Sequence, residues 1–144
     1  GALWYRVATT ANRERAAAIM EHFPGKSMSC VEISENDFNS WSLGYRNTYR
    51  CTFEFNADGT YTETDYSQTE YTEKYKESLK AQHITWDEDG DTNVEVGTYS
   101  VFVPVLGDIM LIIDTPSNQQ EVFSLTVDAN NEPVSFVRDN RTYQ

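Results

Sequence analysis

Across residues 47–66, apolar and polar side chains take turns. Tyr49, Cys51, Phe53 and Phe55 fall on one side of an extended chain, with Arg50, Thr52 and Glu54 on the other. A period of two marks a half-buried strand. Asn56-Ala57-Asp58-Gly59 then supplies turn formers, and a Thr- and Tyr-rich run follows, which together predict a β-hairpin. Further strands are predicted at 27–34, 82–86, 94–103, 108–113, 121–127 and 134–138, with Gly97 bending the 94–103 strand. The 108–113 run is apolar without a break, which predicts cover on both of its faces.

Two segments carry a helical period instead. Ala16, Ile19, Met20 and Phe23 share one face, so a helix is predicted over 10–23, capped by Thr10 and stopped by Pro24-Gly25. A short helix is predicted around 68–80, where Ser67 and Glu70 have capping-box spacing and Tyr71, Tyr75 and Leu79 repeat every four residues. The 35–46 connection is polar, yet it holds Phe38, Trp41, Leu43 and Tyr45. A link so rich in apolar side chains is expected to fold over something, and a cavity mouth is one candidate.

Eight predicted strands with short connections imply antiparallel neighbours. The expected fold is mainly β: an eight-stranded antiparallel up-and-down barrel, one domain over 1–144, with the N-terminal helix against it or across one end. An open α+β sheet wrapping the helices is the alternative.

The 144 residues include 23 Asp and Glu against 11 Lys and Arg, a net charge of −12. Such a surface repels phosphate backbones and anionic headgroups, so nucleic-acid and membrane-surface binding are not expected. No apolar run is long enough to span a bilayer. Gly1-Ala2-Leu3 reads as what is left after a leader is removed, so the lack of a signal segment does not argue for the cytoplasm. Cys30 and Cys51 are too far apart in sequence for a CxxC site, and both a disulfide between neighbouring strands and two buried thiols stay open.

Candidate chemistry is sparse. Asp87, Asp89 and Asp91 suggest a calcium loop, but Gly90 stands fourth rather than sixth and Thr98 occupies the twelfth position, so a solvated turn is expected. His22 and His83 read as structural residues and Cys51 as a core residue, and no metal or cofactor is expected. An enzyme would draw on Glu63, Asp65, Arg50 or His83, yet no motif joins them. What remains is aromatic. Trp41, Tyr45, Tyr49, Phe53, Trp86, Tyr99, Phe102 and Phe123, as barrel interior or rim, form a candidate site for a small apolar ligand. Arg50 or Arg138 would orient its polar head.

The helix ending in Phe23-Pro24-Gly25-Lys26, the run Phe53-Glu54-Phe55-Asn56-Ala57-Asp58-Gly59-Thr60-Tyr61, Trp86 before an acidic turn, and Gly97-Thr98-Tyr99-Ser100-Val101 form a recognisable series. Their order resembles the small bacterial lipocalin-like (calycin-like) domains from about residue 16 to residue 138. Where lipocalins carry Gly-x-Trp stacked on a closing-strand arginine, this chain has Gly25-Lys26-Ser27, although Arg138 stands in the last predicted strand. The resemblance implies a barrel able to hold a small apolar ligand, in a secreted or cell-envelope protein. The expectation is therefore a monomeric, non-enzymatic, extracytoplasmic binding domain. A secreted interaction or inhibitor module is the alternative, with a packed barrel and docking through 35–46 and 68–80. A barrel-type enzyme is the second alternative.

Overall fold

The computed structural model describes the backbone of residues 2–144 and the side chains of residues 9–144. Gly1 lies outside the described residues. Helix α1 (Ala2–Met20) leads into strands β1 (Ser27–Asn36), β2 (Tyr45–Phe55) and β3 (Thr60–Tyr71). After helix α2 (Glu73–Ala81) come β4 (Asp91–Phe102), β5 (Met110–Asp114), β6 (Gln120–Val127), β7 (Pro133–Arg138) and β8 (Arg141–Tyr143). The eight strands form one antiparallel up-and-down sheet in chain order, nearly closed as a barrel, consistent with a lipocalin-like fold.

The strand number matches expectation, but its membership does not. Residues 82–86 are not a strand: Gln82 caps the end of α2, and His83 takes a positive φ of 59°. The eighth strand is instead β8, joined to β7 by a two-residue turn. Asp139 and Asn140 both have positive φ there, and Arg138 pairs with Arg141. This is a type I′ hairpin, which Asp and Asn tolerate through local hydrogen bonding.

Both helices also differ from expectation. α1 begins well before Thr10, which is therefore no cap, and ends at Met20, so that Phe23 lies in the turn beyond it. Ser67 to Tyr71 stays in β3, so the Ser67/Glu70 capping box does not form. Thr72 caps α2 by accepting a hydrogen bond from the Tyr75 amide. β5 is covered less completely than predicted: Leu111 and Ile113 are buried, while Met110 and Ile112 are half-buried.

Backbone contacts gather the chain into two compact units. The first comprises Gly1–Cys30, Thr52–Glu63 and Glu95–Gln144. Here the sheet nearly closes, because Ser29 and Gln144 exchange both backbone hydrogen bonds at 3.0 and 3.1 Å. Its core is aromatic. Phe53 is fully buried, with the rings of Phe55, Tyr61, Phe123, Phe136 and Tyr143 centred 5.3–6.4 Å away. Phe23 follows α1 into this core and packs edge-on against Phe55 at 4.7 Å. The Gly25 amide bonds the Phe55 carbonyl, and the Phe55 amide bonds the Lys26 carbonyl, so the segment after α1 is clamped to the end of β2. Cys30 is a buried free thiol in this unit.

The second unit comprises Val31–Cys51 and Thr64–Val94. It contains the later part of β1, the first part of β2, the second part of β3, α2 and the start of β4. Alternation gives its sheet two distinct faces. Asn47 and Tyr49 share one face with Asp65 and Thr69, as the Thr69–Asn47 and Tyr49–Asp65 hydrogen bonds require. Arg46 and Arg50 lie on the opposite face, where Arg46 bonds Glu35 and Glu70 and Arg50 lies over the Tyr66 ring. Cys51 is buried and forms no disulfide.

Gly97 leaves no room for a side chain. A Cβ there would collide with the Asp114 carbonyl and stand 2.7 Å from the Tyr61 hydroxyl. Gly97→Ala is expected to lower unfolding free energy by about 1–3 kcal/mol, the usual cost of overpacking, measured by urea denaturation. A variant as stable as wild type would show that this approach is not a constraint.

Candidate functional site

The residues expected to line a ligand are divided between the two units. In the first unit, Phe53, Tyr99 and Phe123 are buried and packed on other rings, Tyr99 against Phe23 and Phe55. Phe102 turns outward and is 53% exposed, and Val105 and Leu106 soon after it are exposed as well. In the second unit, Tyr45 and Tyr49 are half-buried on β2, Arg50 is exposed, and Trp86 is half-buried in the link before β4. Trp41 is 83% exposed.

Arg138 is placed by β7 among the rings of the first unit, its guanidinium 5.8 Å from the Phe53 centroid and 5.7 Å from that of Phe123. The lipocalin-like resemblance pairs such an arginine with a first-strand tryptophan; here phenylalanine rings from β2 and β6 receive it. Arg138 also donates to the buried Glu63 carboxylate at 3.1 Å and to Glu121 at 3.4 Å. A buried carboxylate held this way is satisfied and costly to disturb. Tyr61 is fully buried, and its hydroxyl has no hydrogen-bond partner among the described residues. Burial, reinforced by the charges of Glu63, Glu95 and Glu121, pushes its pKa up to about 12. Tyr61 is thus a protonated donor at neutral pH, and nothing in its chemistry makes it a base.

The second unit builds a different kind of feature from residues 37–44. Asp37 takes a positive φ of 47°, and its carbonyl accepts from the Asn39 amide. Asn39 Oδ1 then accepts from the Trp41 amide at 2.9 Å. Gly44 closes the loop against the backbone of Asn36 and Asp37, where any Cβ would meet their carbonyls. Thr72 ties the far side. Its hydroxyl donates to the Ser42 carbonyl at 2.7 Å and accepts from the amides of Gly44 and Tyr75, while its own amide bonds the Gly44 carbonyl. Lys74 adds a bond to the Trp41 carbonyl, and Arg46 stacks on Phe38 at 4.2 Å.

The loop backbone is therefore fixed while its apolar side chains stay outside. Leu43 is 53% exposed and accompanies Trp41. Elsewhere in this unit, Glu88 gathers the Tyr71 amide, the Trp86 indole and the Lys76 ammonium. Partial burial opposes its charge, but these three donors outweigh that and hold its carboxyl below the ordinary value.

The aromatic composition of 35–46 points to this segment, but sequence reasoning missed Thr72 and Glu88. Thr72 directly before the acidic Glu73 is the available capping signal. Tyr61 reads in sequence as one more core aromatic, since alternation says nothing about whether its hydroxyl finds a partner.

Two outcomes follow. Tyr61→Phe removes an unsatisfied buried hydroxyl and is expected to raise stability by about 1–3 kcal/mol in chemical denaturation; a loss would mean that the hydroxyl is satisfied. Thr72→Val removes the cap and both loop bonds and is expected to cost about 1–2 kcal/mol and to broaden the Trp41 indole resonance, with Thr72→Ser restoring both. A sharp, unshifted Trp41 signal in Thr72→Val would contradict the assigned anchoring. No family model, curated protein or solved structure matches this chain.

Proposed function

We propose that this chain is a non-enzymatic binding domain that works as an interaction module, presenting the loop at Trp41 and Leu43 to a partner protein. The observation that carries this reading is an indole 83% exposed on a loop held by Thr72, Asn39 and Lys74. A large aromatic side chain kept in water by a fixed backbone gains its burial on association, with little ordering cost left to meet. Neighbouring Leu43 extends the apolar contact, and Lys74, bonded to the Trp41 carbonyl, adds a polar group beside it. The partner this chemistry fits offers an apolar recess deep enough for an indole.

The packing of Phe53, Tyr99 and Phe123 against other core rings favours this reading over a carrier that takes a small apolar ligand among them. An extracytoplasmic location, a bacterial source and kinship with lipocalin-like domains rest on the sequence resemblance.

The test is photocrosslinking from a light-activated tryptophan analogue at position 41, in extract of the source organism, with purified chain as competitor. The expected result is one discrete adduct abolished by unlabelled wild type and not by Trp41→Ala, a variant whose stability should change by less than about 0.5 kcal/mol. Equal competition by Trp41→Ala would overturn the reading. An apolar molecule that survives purification and appears by native mass spectrometry would favour the carrier.

A further inference from the structure

A groove of about 340 Å³ opens within the first unit, between α1 and the end of β4. The helix contributes Thr9, Asn12, Arg13 and Ala16, which recur at i, i+3, i+4 and i+7 and so share one face. Ile19 and Met20 continue that face at the same spacing, and there Ile19 is fully buried. The stripe that packs at the end of the helix therefore turns polar one turn earlier. Across the groove from it stand Val101, Phe102, Val103 and Val105. A helix that served only to cover the sheet would keep this stripe apolar along its length.

The two walls differ in chemistry. On the helix side, the side chains of Thr9, Asn12 and Arg13 make no hydrogen bond or ion pair among the described residues, and Arg13 is exposed. Arg15, by contrast, is engaged by Asn131. No Asp or Glu lines the groove, so Arg13 is its one charged group. On the strand side, Val103 is buried and Val101 half-buried, while Phe102 and Val105 are 53% and 60% exposed. A cationic edge thus faces an apolar wall that is still partly in water.

We propose that this groove binds a single-chain amphiphile with an anionic head, such as a medium-chain alkyl carboxylate. Arg13 pairs with the carboxylate, and the Asn12 amide and Thr9 hydroxyl donate to it. The alkyl chain lies along Val101, Phe102, Val103 and Val105 and removes their remaining apolar surface from water. The net charge of −12 opposes an anion at long range. Screening at physiological salt acts within about 8 Å, however, so a guanidinium in contact outweighs carboxylates farther away. The volume sits at the small end of ordinary ligand sites, which run from about 300 to 1,000 Å³, and suits a medium chain rather than a long one.

The probe is decanoate, added below its micelle concentration to the intact chain and followed by isothermal titration calorimetry and by amide chemical shifts. Expected is saturable one-site binding, with shifts centred on Asn12, Ala16 and Val103. Arg13→Gln and Val105→Ser, both at exposed positions, should each weaken it about tenfold. Leu106→Ser, at a residue 89% exposed just beyond the lining, should leave it unchanged. Equal weakening by Leu106→Ser, or equal affinity for decyltrimethylammonium, would reduce the effect to adsorption on apolar surface and overturn the proposal. No saturable binding, or full binding by Arg13→Gln, would overturn it as well. Shifts centred on Phe53 and Phe123 would put the chain among the core rings and equally contradict it. Trp41→Ala should not affect decanoate, so failure here is separable from failure of the docking loop.

Discussion

The burial of Phe53 constrains the rest of the first unit. Five other rings surround it, contributed by β2, β3, β6, β7 and β8, so each strand is held in register by a side chain that reaches the same centre. Burying rings of this size dominates core energetics, and their edge-on contacts add about 0.5–1.5 kcal/mol each beyond area. Arg138 extends the cluster by lying over Phe53 and Phe123 while it neutralises Glu63. A charge so enclosed is retained because its removal would strand a buried carboxylate. The orphaned Tyr61 hydroxyl is the one buried side-chain polar group among the described residues that this packing leaves unsatisfied.

The second unit uses its hydrogen bonds differently. Thr72 commits its hydroxyl to the Ser42 carbonyl, the Gly44 amide and the first turn of α2, so one small side chain joins a loop to a helix. The loop then needs no apolar anchor of its own. Trp41 and Leu43 remain outside, which a mobile connector would not sustain without collapsing them onto the sheet.

Strand number, antiparallel order and the first hairpin were legible because alternation at Tyr49–Cys51–Phe53–Phe55 and at Phe123–Leu125–Val127 is strong. β8 escaped because a three-residue strand carries too short a period to read, although Asp139-Asn140 between paired strands was a usable turn signal. The false strand at 82–86 has alternating residues but no neighbour, and the capping of α2 by Gln82 takes that stretch out of the sheet. The Ser67/Glu70 cap failed for a tertiary reason: Glu70 bonds Arg46 while the strand runs on to Tyr71. At the candidate site, composition singled out 35–46, but which aromatics face inward depends on the loop path. Phe38 sits under Arg46 while Trp41 faces water, a difference that neither residue's own chemistry dictates.

The central claim is that the Trp41 loop is fixed before any partner arrives. Native-state hydrogen exchange at the amides of Gly44 and Thr72 tests it most directly, since each is bonded across the loop, Gly44 to the Thr72 hydroxyl and Thr72 to the Gly44 carbonyl. Slow exchange at both amides, with protection comparable to the β3 amides of the same unit, is the expected result. Exchange of either at the rate of an unstructured chain would contradict the account, because the indole would then be displayed by a mobile segment rather than a preformed one.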